Sequence, residues 1–173
     1  YCYIVPLRSG QASAIRINGT ALIPRVLAGA AGQAAFAGIW SAVIPDNELG
    51  VINIVATSGS NPTVSVYRAT GVSPVPTDAQ SSETATDVAR TVDLRTQPGG
   101  FIIACACNNV ATANQCTWSG DQAPTEDSDV AVGSGRSSTA STVSANDDAA
   151  NTITATFDVI STTQVALAAA TFR

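Results

Sequence analysis

The chain has 173 residues, 45% of them apolar and 12% charged, with a net charge of −5. Histidine and lysine are missing, which removes Ser-His-Asp and Cys-His catalysis, histidine metal ligands, Schiff-base chemistry and the phosphate-loop lysine. The eight basic residues are all arginine and stand singly, so no basic stripe exists to follow a nucleic-acid backbone or hold an anionic membrane.

Length and apolar content predict one packed domain over 1–173, and the small net charge argues against disorder. No apolar run approaches the length of a membrane-spanning helix, so no membrane insertion is expected. The start at Tyr1-Cys2-Tyr3, without an initiator methionine, reads as a piece of a longer polypeptide or a processed product.

Strand signals dominate in chain order. Apolar or alternating runs predict strands near 1–7, 12–17, 20–28, 34–44, 51–57 and 63–70, then 88–95, 101–107, 115–119, 129–134, 138–145, 151–159 and 164–172. The first hairpin turns at Asn18-Gly19, a pair in which both residues accept positive φ; this also accounts for the sequon Asn18-Gly19-Thr20. Residues 27–34 are alanine-rich, yet two glycines among them favour a loop over a helix. In 51–57, Ile52, Ile54 and Ala56 oppose Val51, Asn53 and Val55. In 63–68, Val64 and Val66 are expected inward, with Thr63, Ser65 and Tyr67 opposite.

Turns are expected at 45–50, at 58–62 and at Gln97-Pro98-Gly99-Gly100. The polar segments 73–87 and 120–128 read as long loops. In 151–159, Ile153, Ala155, Phe157 and Val159 share one face, against Thr152, Thr154, Thr156 and Asp158. That period of two predicts a half-buried antiparallel strand. The last run, Val165–Phe172, is apolar on both faces and reads as a buried central strand, although its alanines also suit a helix. The expected architecture is all-β: an antiparallel two-sheet β-sandwich, jelly-roll-like in strand order.

The order of elements carries a resemblance. It runs through the hairpin Ser13–Ile23, Phe36-Ala-Gly-Ile-Trp40, Val51–Ala56, Val64–Val72, Gly100–Ala104, Thr117-Trp118 and the closing Val165–Phe172. Over nearly its whole length the chain resembles jelly-roll-type β-sandwich modules of bacteriophage and gene-transfer-agent surface proteins and of bacterial adhesins. The resemblance implies a structural virion-surface module, such as a fibre, spike or capsid decoration. It implies a homo-oligomer or contacts with other virion proteins, and in some cases host surface polysaccharide. The alternative is a carbohydrate-binding or adhesin module of a secreted or cell-surface bacterial protein. No catalytic residue is implied, and neither cofactor nor metal is expected.

Three groups of residues are candidate sites. If 101–107 and 115–119 form a hairpin, Cys107 could bond Cys116, and Cys2 could meet Cys105; four buried free thiols are the competing reading. Cys-x-Cys in a strand lacks the Cys-x₂-Cys spacing of a zinc site. Trp118, with Asn108, Asn114 and Asp121 as neighbours, could form a glycan platform, a ring to stack on and amides to bond hydroxyls; packing in the core is the competing reading. The acidic run from Asp121 to Asp129 matches no EF-hand loop and reads as solvated. Glu48, Glu83 and Glu126, the only glutamates, fall in expected loops and form no obvious acid pair, so an enzyme is not expected.

Overall fold

The structure is a computed structural model describing residues 1–8, 12–29, 35–45, 50–56, 62–110, 115–132, 135–145, 147–161 and 164–173. Asn114 and most of the turns expected at 45–50 and 58–62 lie outside the described residues. Every regular element among the described residues is a strand. The first eight are β1 (Cys2–Arg8), β2 (Ala12–Ile17), β3 (Thr20–Ala21), β4 (Ile23–Ala28), β5 (Ala37–Val43), β6 (Ile52–Ala56), β7 (Thr63–Val64) and β8 (Tyr67–Ala69). The second eight are β9 (Asp78–Thr84), β10 (Asp87–Thr96), β11 (Phe101–Asn108), β12 (Cys116–Gly120), β13 (Thr125–Val132), β14 (Gly135–Val143), β15 (Asp148–Ser161) and β16 (Val165–Phe172).

The all-β, antiparallel expectation holds, but the expected two sheets are four. They run β3-β2-β6, then β4-β5-β1-β7 with β8 also on β1, then β13-β14-β11-β16-β9, then β10-β15-β12. Three apolar cores lie between them. Ile15, Ile17 and Leu22 meet Val5, Leu7 and Trp40 in the first. Ile4, Ala37 and Ile39 meet Cys105, Ala168 and Phe172 in the second. Ile102, Ala104 and Leu167 meet Leu94, Ile153 and Phe157 in the third. The two inner sheets are therefore covered on both faces.

That layering follows from the sequence of the inner strands. All eight residues of β16 are buried. Alternate side chains of a strand point to opposite faces, so Ala166, Ala168 and Ala170 enter one core while Val165, Leu167 and Ala169 enter the next. A strand apolar on both faces needs a cover on each side, and one partner sheet supplies only one. Small side chains let neighbouring layers approach closely, which explains where the alanines are used.

The pairing of the second eight strands is nested. β9 pairs with β16, β10 with β15 and β11 with β14, while β13 folds back on β14. The first hairpin is as expected: Asn18 has φ 50° and Gly19 φ 81°, with Ile17 opposite Thr20. Gly99 has φ 73° in its turn, and Gly100 N–H donates to Gln97 O at 2.8 Å. Ile153, Ala155 and Phe157 face inward as expected, and β16 is a central strand between β11 and β9.

Three local expectations are corrected. The segment 73–87 contains β9, a strand of Asp, Ala, Gln, Ser, Glu and Thr that owes its form to pairing with β16 and not to propensity. The segment 120–128 contains the start of β13, whose bulge between Glu126 and Ser128 hides the period of two. In 63–70 the strand breaks after Val64, so Val66 is 41% exposed and Tyr67 turns inward to Phe101, ring centroids 6.2 Å apart.

Candidate functional site

The described candidate glycan residues each make a hydrogen bond within the fold. Trp118 on β12 is half-buried, packs against the third core, and donates its indole N–H to Ser138 Oγ at 2.7 Å. Asn108 ends β11 fully buried, its side-chain oxygen accepting from Arg136 N–H at 2.9 Å. Asp121, just past β12, accepts from Thr152 N–H at 2.9 Å and so ties the turn to β15. Asn114 lies outside the described residues. Of the candidate set, the structure thus leaves Trp118 and Asp121 partly open to solvent and closes Asn108 off.

The expected disulfides are not formed: all four cysteines are buried thiols. The expected hairpin is absent because β12 pairs with β15, while β11 pairs with β14 and β16. Cys107, on β11, consequently faces the second core, and Cys116, on β12 of a different sheet, faces the third. Cys105 Sγ lies 3.5 Å from Gly38 O, and Gly38 is opposite Leu7, whereas Cys2 is opposite Val43. Five residues of strand at about 3.3 Å each separate those positions, far beyond disulfide reach. Burial pushes the Cys105 and Cys116 thiols up to about 12.

A polar cluster that the sequence did not announce sits where the first eight strands meet the second. Arg8, at the end of β1, is 1% exposed. Its Nη1 donates to Ser128 Oγ at 3.2 Å, and among the described residues its Nε has no hydrogen-bond partner. Ser128 Oγ also lies 2.9 Å from Thr139 Oγ1, and Ser65 Oγ lies 3.5 Å from both. Tyr67 donates to Asp127 Oδ2 at 2.5 Å. Burial lowers the Arg8 pKa, while Cys105, Tyr67, Cys107 and Asp129 act in the opposite sense. Arginine closing an apolar run looks like an ordinary strand end, so nothing in the sequence marked it as buried.

A second cluster lies nearby on β13 and β14. Arg136 grips Asp129 through Nε at 2.6 Å and Nη2 at 2.9 Å, and Asp129 also accepts from Cys116 N–H at 3.1 Å. Such a bidentate pair fixes geometry as well as charge. It fastens the start of β12 to the edge strand of the next sheet. Desolvation and then Asp129 raise the Glu126 pKa beside it.

These clusters join layers. Among the described residues, no three Cys, Asp or Glu side chains gather as a metal site. An open groove of about 330 Å³ is lined by Tyr1, Cys2, Val43, Thr70, Gly71 and Val72, with the Arg68 guanidinium 4.5 Å from the centre of the Tyr1 ring. No family model, curated protein or solved structure matches the chain.

Proposed function

We propose that this chain is a structural module with a jelly-roll-like strand order, built into the surface of a virus-like particle as a fibre, spike or decoration. The observation that carries the reading is the nested pairing of β9 with β16, β10 with β15 and β11 with β14. An eight-stranded antiparallel hairpin folded over itself in this way produces two facing sheets, the jelly-roll plan used by viral capsid and lectin domains. The double-sided burial of β16 adds support, because a stack of close-packed sheets is rigid and suits a load-carrying shell. Its polar side chains fasten sheets to one another, as Asp129 does through Cys116 N–H and Ser138 through Trp118, which is the use a scaffold makes of them.

The test is immunogold labelling. Antibodies raised against this chain are applied to particles and to cells of the producing culture. Label on the outside of particles is the expected result. Label confined to the cell envelope, together with glycan binding that Trp118→Ala abolishes in a folded protein, replaces the proposal with the adhesin reading.

A further inference from the structure

β6 is an outer strand: it pairs with β2 on one edge, and among the described residues no strand pairs with the other. Val51 N–H donates to Asn18 Oδ1 at 2.8 Å and Val51 O accepts from Asn18 N–H at 3.0 Å, both on the β2 side. Backbone groups alternate in direction along an antiparallel strand. Those of Asn53 and Val55 therefore also face β2, and those of Ile52 and Ile54 face the open edge. The segment from Val51 to Val55 has no charge and no proline, and Val51, Ile52 and Val55 are 70%, 41% and 49% exposed.

Unpaired edges invite other strands, and proteins usually blunt them with charge, proline, bulges or brevity. The other outer strands do so. β4 carries Pro24, Arg25 and a register shift. β13 carries Glu126, Asp127, Asp129 and a bulge. β9 carries Asp78 and Glu83, and β10 carries Asp87, Arg90, Asp93 and Arg95. β3, β7 and β8 are two or three residues long. β12 is fastened to β13 through Asp129. β6 has none of these protections.

The occupant is specified by the sequence itself. Val51-Ile52-Asn53-Ile54-Val55 reads the same in both directions. An antiparallel copy centred on Asn53 sets Val51 against Val55, Ile52 against Ile54, and Asn53 against itself. The open backbone groups of Ile52 and Ile54 then meet as hydrogen-bonded pairs. Asn53 falls at a non-hydrogen-bonded position, where paired Cα atoms approach to about 4.5 Å and two amide side chains can bond each other. We propose that β6 is the self-association edge of this protein: two copies join β6 to β6 about a twofold axis through Asn53, merging two three-stranded sheets into one of six. This is an isologous contact, in which one patch is its own complement. Ile54 already packs on the first core, and the seam extends that core from one copy into the next. The proposal stands on this edge alone and is independent of the particle reading.

Sedimentation velocity of the chain across the micromolar range tests it. The expected result is a concentration-dependent monomer–dimer equilibrium. Asn53→Lys, which sets two ammonium groups opposite each other, should weaken it by about tenfold or more, with an unchanged circular dichroism spectrum and melting profile. Asn53→Cys should give a covalent dimer on mild oxidation. Val51→Cys alone and Val55→Cys alone should not, although a mixture of the two should. The proposal is overturned by a chain that stays monomeric throughout, by a dimer indifferent to Asn53→Lys, or by Val51→Cys cross-linking as readily as Asn53→Cys. The labelling of particles plays no part in these outcomes, so either proposal can fail without the other.

Discussion

Tyr67 donates its phenol proton to Asp127 at 2.5 Å, across the line where the first eight strands meet the second eight. Desolvation first, and the Asp127 hydrogen bond second, raise the Tyr67 pKa far above its ordinary value. The folded state therefore holds this proton more tightly than the unfolded chain. The stabilisation is complete below about pH 10, the ordinary tyrosine value, and fades as pH rises above it. Denaturant titrations from neutral to strongly alkaline pH should show this loss. Tyr67→Phe should be less stable than the parent near neutrality, with a flatter alkaline limb; an unchanged limb would falsify the assignment to Tyr67.

Arg8 tests what the junction needs. A buried guanidinium whose Nη1 donates to Ser128, while Nε has no partner among the described residues, has lost water without full replacement. Arg8→Met keeps the aliphatic bulk and removes the charge. Buried charges replaced by well-packed apolar residues are often neutral or stabilising, by about 1–4 kcal/mol. Arg8→Ala should instead cost about 2–5 kcal/mol through the cavity it leaves. Urea denaturation of the two variants checks the ordering, and a large loss of stability in Arg8→Met would show that the charge itself holds the junction.

The four thiols should be silent in the native state. All are buried, and burial raises the pKa of Cys2 as well as those of Cys105 and Cys116. Reactivity needs thiolate and access, and both are withheld. A chromogenic disulfide reagent should report no thiol before denaturation and four after it, with no change on prior reduction. Rapid labelling of one cysteine in the native protein would show that its layer opens.

Trp118 joins its strand to the neighbouring sheet through Ser138. Trp118→Phe retains most of the packing and removes this hydrogen bond, for an expected cost of about 1 kcal/mol. The remaining tryptophan, Trp40, is 3% exposed and paired with Phe36 at 6.0 Å between ring centroids. Fluorescence from Trp118→Phe should consequently be that of a single buried indole. Emission typical of a solvated ring would place Trp40 elsewhere.

The alanines of β16 set the distance between layers. Ala168 is fully buried in the core that joins the two halves, and its Cα partners are Cys105 and Ser81. Adding bulk to a well-packed core typically costs about 1–3 kcal/mol. Ala168→Leu should lower the urea midpoint accordingly, and Ala168→Gly should lower it less than a large-to-small change elsewhere. A tolerated leucine would mean that the layers are loosely packed.

Most strands were legible because period two and apolar runs are local properties. The alternation of Ile153, Ala155 and Phe157 with threonine needs only one sheet face to be wet. The Asn18-Gly19 turn needs only two residues that accept positive φ. β9 was not legible, because Asp78–Thr84 lacks strand propensity and becomes a strand only when β16 offers its edge. The inward turn of Tyr67 was hidden for a similar reason: the break after Val64 resets which side chains face the core.

By itself the sequence determined that the chain is built of antiparallel strands, that β16 is buried on both sides, and that histidine- and lysine-based chemistry is unavailable. Tertiary structure alone decided the number of layers, the separation of Cys107 from Cys116 into different sheets and cores, and the burial of Arg8. The physical reason is range. Propensity, turn geometry and side-chain alternation act within a few residues, whereas sheet order is settled by which distant strand covers each apolar face.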